Sequence, residues 1–94
     1  MPGVVIAKAK RNHTEIIAEL LDIASGLGAT KTALVYRANL NFTLANRYIE
    51  FMEGKGMIER AGARSPTLYR TTDKGAEALS SLRNALDAVS ELPA

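Results

Sequence analysis

The sequence predicts a mainly α domain with a small β-hairpin, running helix–helix–helix–hairpin–helix and closing on a long C-terminal helix. Three observations carry that prediction. Apolar residues recur at helical spacing from Ile16 to Leu27 and again from Ala45 to Met52. A helix-capping residue type stands just before each predicted helix, at Asn12, Thr30, Asn41 and Thr72. After Gly56 the pattern shortens to strand-like runs around a link containing Gly62 and Pro66. A chain of 94 residues has room for one such domain.

The first helix opens on Asn12, with Glu15 three residues on, the spacing of a capping box. Ile16, Leu20, Ile23 and Leu27, flanked by Ile17, Leu21 and Ala24, then form a wide apolar stripe. Ser25, Gly26 and Gly28 end it, because glycine accepts the left-handed backbone of a helix C-terminus. A second helix fits Lys31 to Ala38 behind Thr30 as its cap, burying Leu34 and Ala38 with help from Val35. Asn39-Leu40-Asn41 is long enough only for a tight turn. Asn41 caps a third helix from Phe42 to about Lys55, and Gly56 stops it. Two helices joined by so short a turn make a helix-turn-helix arrangement. Met57 to Arg60 and Thr67 to Thr71 are strand candidates, with residues 61–66 as the loose tip of their hairpin. Thr72 caps the last helix, which opens Asp73-Lys74-Gly75 and runs to about Leu92, before Pro93.

Composition narrows the function. The chain is 47% hydrophobic and 23% charged, with no cysteine and a net charge of +2. That describes a globular protein with an aliphatic core, without disulfides or thiolate metal sites. The longest apolar runs fall far short of the ~20 residues of a membrane span, and the short run before Lys8 precedes its charges, the reverse of a secretory signal. The expected location is cytoplasmic. Positive charge gathers at Lys8, Lys10 and Arg11 and recurs at Lys31, Arg37, Arg47, Lys55, Arg60, Arg64 and Arg70.

Placed at 100° per residue, the third helix turns Ala45, Tyr48, Ile49 and Met52 to the core. Thr43, Arg47, Glu50 and Gly54 fall opposite, with Asn46 on one shoulder, and Leu44 and Phe51 on the other, where packing against a neighbouring helix is expected. Arginine can pair with both acceptors of a guanine edge and asparagine with an adenine edge, and Thr43 in the first turn can bond a phosphate or touch a thymine methyl. Glu50 opposes this unless it accepts from a cytosine or bridges to Arg47. A solvated face that touches nothing is the competing reading of these residues.

The order helix-turn-helix, hairpin, helix resembles the winged helix-turn-helix fold. KTALVYRANLNFTLANRYIEFMEGKGMIER together with TLYRTTDKGAEAL resembles a family of small archaeal winged-helix DNA-binding proteins. The matching features are Lys31-Thr32, Tyr36-Arg37-Ala38-Asn39-Leu40, Tyr48, Lys55-Gly56-Met57-Ile58 and Thr72-Asp73-Lys74-Gly75, over roughly residues 12–86. Leu44 departs from the pattern, standing where such proteins carry a glutamine or similar polar residue. The resemblance implies a nucleoid-associated protein that binds double-stranded DNA, either as a weakly specific chromatin-type protein that dimerises through the last helix or as an operator-specific regulator.

On that basis the candidate DNA-binding residues are Lys31 and Thr32 at the start of the second helix, Asn41, Thr43, Asn46 and Arg47 on the third, Arg64 at the wing tip, and Lys10 and Arg11 in a basic arm or strand over residues 1–11. Arg60 and Arg70 on the flanking strands can reach the backbone too, or stand beside Glu59 for solubility. Leu79, Leu82, Leu86 and Val89 follow the three-four-three spacing of a coiled coil, and with Leu92 they are the candidate homodimer interface. Leu86, Val89 and Leu92 lie ~10–20 Å along at ~1.5 Å per residue, further than so small a core is expected to extend. The chain thus divides into the arm, a winged domain over residues 12–75 and a dimerisation helix over 76–94. His13 is the only histidine, the aspartates are scattered, and neither a nucleotide loop nor a metal set is apparent, so enzyme activity, a cofactor and a small-molecule ligand are not expected. A winged-helix module that docks protein is the rival from another class.

Overall fold

The computed structural model describes residues 11–90. Helix α1 (His13–Ile23) starts with both halves of its capping box formed: the Asn12 side chain accepts from the Glu15 amide at 2.8 Å, and the Glu15 carboxylate accepts from the Asn12 amide at 3.1 Å. The helix stops at Ile23, and Gly26 reverses the chain at φ +77°. Leu27 is therefore not the end of the buried stripe expected from its spacing. It is 90% exposed, because the helix that would have turned it inward has already ended.

A two-residue strand, β1 (Ala29–Thr30), follows, and nothing in the periodicity announces it. It leads directly into α2 (Lys31–Arg37), whose first turn is capped by the Thr30 hydroxyl accepting from the Ala33 amide at 3.1 Å. Asn39 takes a left-handed φ of +56°, a conformation its short polar side chain tolerates. Helix α3 (Phe42–Gly54) then begins with the Asn41 side chain accepting from the Leu44 amide at 2.7 Å.

Strands β2 (Ile58–Ala61) and β3 (Leu68–Thr71) form the hairpin, and β1 pairs antiparallel on the other edge of β3, giving the order β1-β3-β2. Ala29 stands opposite Tyr69 and Thr30 opposite Leu68, while Arg60 and Ala61 face the same two residues from β2. The hairpin is thus one side of a three-stranded sheet, and β3 is tied to α1: the Thr71 hydroxyl donates to the Leu21 carbonyl at 2.7 Å and its amide to that of Ala24 at 3.0 Å.

Helix α4 (Asp73–Ser90) is capped by Thr72, whose hydroxyl accepts from the Gly75 amide at 3.0 Å and donates to the Gly56 carbonyl at 2.6 Å. Gly75 is buried, and a Cβ there would lie 2.1 Å from the Met57 carbonyl oxygen, so glycine is what lets α4 meet the chain this closely. The helix is continuous across the 75/76 boundary drawn from the sequence.

The core gathers Ile16, Leu20 and Leu21 of α1, Leu34 of α2, Tyr48, Ile49 and Met52 of α3, Ile58 and Tyr69 of the sheet, and Leu79 of α4. Each large side chain removed from water here contributes about 1.5–3 kcal/mol. Leu79 is 7% exposed and so belongs to its own core instead of an intermolecular seam. Leu82 and Leu86 pack half-buried against the same cluster. The expected separation of Leu86 from the core does not occur, because α4 lies along α1, with Arg83 and Asp22 joined at 2.7 Å. Val89 stays 62% exposed. Leu92, with Lys8 and Lys10, lies outside the described residues.

Candidate nucleic-acid interface

Helix α3 meets the core through Ala45, Tyr48, Ile49 and Met52, all buried, which turns Thr43, Arg47 and Glu50 into solvent on the far side. Asn46 is half-buried on the shoulder between them. The Asn41 Oδ1 accepts from the Leu44 amide, which leaves its NH₂ group and a second lone pair on Oδ1 for other partners. Lys31 is half-buried and Thr32 exposed in the first turn of α2, while Arg64 is exposed in the loop between β2 and β3.

The arginines divide into two groups. Arg60 Nε donates to Glu53 at 2.9 Å and Arg70 to Glu59 at 3.0 Å across the hairpin, and Arg83 forms an ion pair with Asp22. Arg11 pairs with Glu19 and also donates to the Ala38 carbonyl at 2.6 Å. The Glu53 hydrogen bond, then its charge, raise the Arg60 pKa above its ordinary value, and the Tyr69 ring lies 5.8 Å below the guanidinium. By contrast Lys31, Arg37, Arg47 and Arg64 have no carboxylate partner among the described residues. Glu50 does not bridge to Arg47, so among the described residues no carboxylate engages that guanidinium's fork of donors. Arg37, exposed in the last turn of α2, joins this set; its charge is visible in the sequence, but its lack of a carboxylate partner among the described residues is not.

The other shoulder of α3 differs from expectation. Leu44 packs half-buried against the core as expected, but Phe51 is not covered by any of the described residues. With His13 and Ile17 of α1, Tyr48 and the stem of Arg47 they line an open groove of about 430 Å³. Phe51 is 47% exposed, with the Lys55 ammonium 5.7 Å from its ring centre. His13 Nδ1 and the Tyr48 hydroxyl bond at 2.6 Å at the groove wall. No cluster of three or more histidines, aspartates or glutamates among the described residues could hold a metal ion, and no helix among them is long and apolar enough to cross a membrane.

Comparison with known proteins agrees with this architecture. The chain is similar to the uncharacterised protein MJ0287 of Methanocaldococcus jannaschii, at 29% identity over 84 residues, covering 89% of this chain and 82% of that one. Among solved structures it resembles Sso10a-2, a DNA-binding protein from Sulfolobus solfataricus, with a TM-score of 0.77 at 18% identity, over 85% of this chain and 83% of that one. It also resembles the MarR family transcriptional regulator SPO1453 from Silicibacter pomeroyi, with a TM-score of 0.63 at 22% identity; the match takes in 93% of this chain but 62% of the regulator. A winged helix-turn-helix family model matches residues 10–90. The chain belongs to the winged helix-turn-helix family.

Proposed function

We propose that the protein binds double-stranded DNA as a homodimer and acts as a transcriptional regulator, with α3 entering the major groove. The observation that carries this reading is that Lys31, Arg37, Arg47 and Arg64, on α2, α3 and the wing, have no carboxylate partner among the described residues (nor do Lys55 and Lys74), whereas Arg11, Arg60, Arg70 and Arg83 are all paired. Such unpaired charge is what counterion release from DNA requires. Arg47 and Asn46 are the base-edge readers, and Thr43 takes a phosphate or a thymine methyl. Lys31, Thr32, Asn41 and Arg64 hold the backbone and fix register. Lys10 extends that set from the arm, whose root Arg11 anchors through Glu19 and the Ala38 carbonyl. The dimer forms through the face of α4 that carries Leu82, Leu86 and Val89, presenting one α3 to each half-site.

Affinity for a labelled random duplex, measured across salt concentrations, tests the proposal. Each neutralised phosphate contributes ~0.9 to the log–log slope. A slope of several units supports the reading, and Arg47→Ala should then weaken a selected site more than random sequence. Weak, salt-independent binding would sink it.

A further inference from the structure

The outward face of α3 is polar at Thr43 and Arg47, but the strip next to it is apolar. Leu44 and Phe51 stand seven residues apart, so at 100° per residue they fall within ~20° of each other around the helix. On the same count Arg47 lies only ~40° from Phe51 and ~60° from Leu44. Phe51 is 47% exposed and Leu44 half-buried, and both line the open groove beside the stem of Arg47. We propose, resting on the entry of α3 into the major groove, that Phe51 is a specificity-determining residue that selects thymine through its C5-methyl group.

Geometry and charge both fit this partner. Arg47 cannot reach a base edge without bringing Phe51 close to the neighbouring bases, because the four residues between them span only ~6 Å of helix axis. Among the groups that base pairs present in the major groove, the thymine methyl is the apolar one, and a phenyl ring is among the side chains that meet it. Phe51 has that surface to offer, since no described residue covers it, whereas Leu44 on the same stripe already packs against the core. The Lys55 ammonium stands 5.7 Å from the ring centre, and neither Lys55 nor Arg47 has a carboxylate partner among the described residues. The ring is thus flanked by two cations, Arg47 for a base edge and Lys55 for a phosphate. No acidic side chain is among the residues described as lining the groove, and Glu50 lies ~100° from Phe51, beyond Arg47. Base pairs rise ~3.4 Å each, so ~6 Å of helix sets the selected thymine about two base pairs from the base that Arg47 reads.

Deoxyuridine provides the test, because it removes the methyl and nothing else. Sites are selected from a random duplex library with the full chain, and each enriched thymine is then replaced singly by uracil. At one position the wild type should lose about fourfold in affinity, the equivalent of one buried methyl. Phe51→Ala should bind the thymine and uracil forms of that site equally, with its salt slope unchanged. Phe51→Leu keeps an apolar side chain and should retain part of the preference. A library that enriches no thymine, or a wild type indifferent to uracil at every position, overturns the proposal. So does a preference that persists in Phe51→Ala, which would assign the methyl to Thr43. Any of these results alongside salt-dependent binding sinks the thymine contact alone, whereas absence of salt-dependent binding sinks the DNA reading with it.

Discussion

Nδ1 of His13 and the hydroxyl of Tyr48 lie 2.6 Å apart, joining the first turn of α1 to the middle of α3. Tyr48 is 7% exposed and its ring is tilted 50° from that of His13, so the phenol is held by packing as well as by the bond. Tyr48→Phe keeps the ring and removes only the hydroxyl, and because exposed His13 regains water the loss should be about 0.5–1.5 kcal/mol. In a domain of this size that lowers Tm by roughly 4–8 °C per kcal/mol. An unchanged thermal midpoint would mean the bond does not fasten the two helices.

Gly75→Ala reverses the usual rule. Alanine in place of a helical glycine normally stabilises by up to about 1 kcal/mol, but here the new methyl meets the Met57 carbonyl oxygen at 2.1 Å and the Thr71 methyl at 2.8 Å. Relieving that contact means moving α4 or the segment that leads from α3 into β2, and the expected outcome is a net loss of about 1–3 kcal/mol. Urea unfolding with an unchanged m-value, midpoint lowered, is the check.

Arg64 and Arg60 sit on the same hairpin and should behave differently. Arg64 is free of carboxylates among the described residues, and Arg64→Ala should reduce the salt slope of DNA binding by about one unit. Arg60 already neutralises Glu53, so removing it should leave the slope nearly as it was. Equal effects of the two variants would mean that charge pairing does not mark the interface.

Val89→Asp places a charge on the exposed large apolar residue of α4 without touching the core. Analytical ultracentrifugation should find the wild type a dimer and the variant a monomer, with the domain's thermal unfolding intact. A wild type that sediments as a monomer removes α4 from the assembly.

Much of this fold is legible in the sequence because its boundaries are local. Asn12 with Glu15, Thr30, Asn41 and Thr72 each cap a helix by bonding an amide within three residues, and spacing alone reveals such contacts. Non-local features are not legible. Strand β1 is two residues whose partner lies forty positions away, and it leaves no periodicity to detect. Leu27 and Leu86 deceive for one reason: a stripe gives a residue's angle about the helix axis, but neither where the helix stops nor what lies alongside it. The outward face of α3 was readable from angles, whereas the pairing of Arg60 with Glu53 and the opening of the shoulder at Phe51 depend on distant neighbours.

The pairing of β1 with β3 brings the hairpin into the same rigid body as α2 and α3. Since the chain passes from Thr30 straight into α2, and Arg60 on the hairpin grips Glu53 on α3, the wing is braced at both roots. If α3 enters the major groove as proposed, wing and α3 behave as the jaws of a caliper set to one opening. A duplex of a different groove width or curvature would have to deform to meet both, so the protein would discriminate by the stiffness of the DNA at base pairs it never touches.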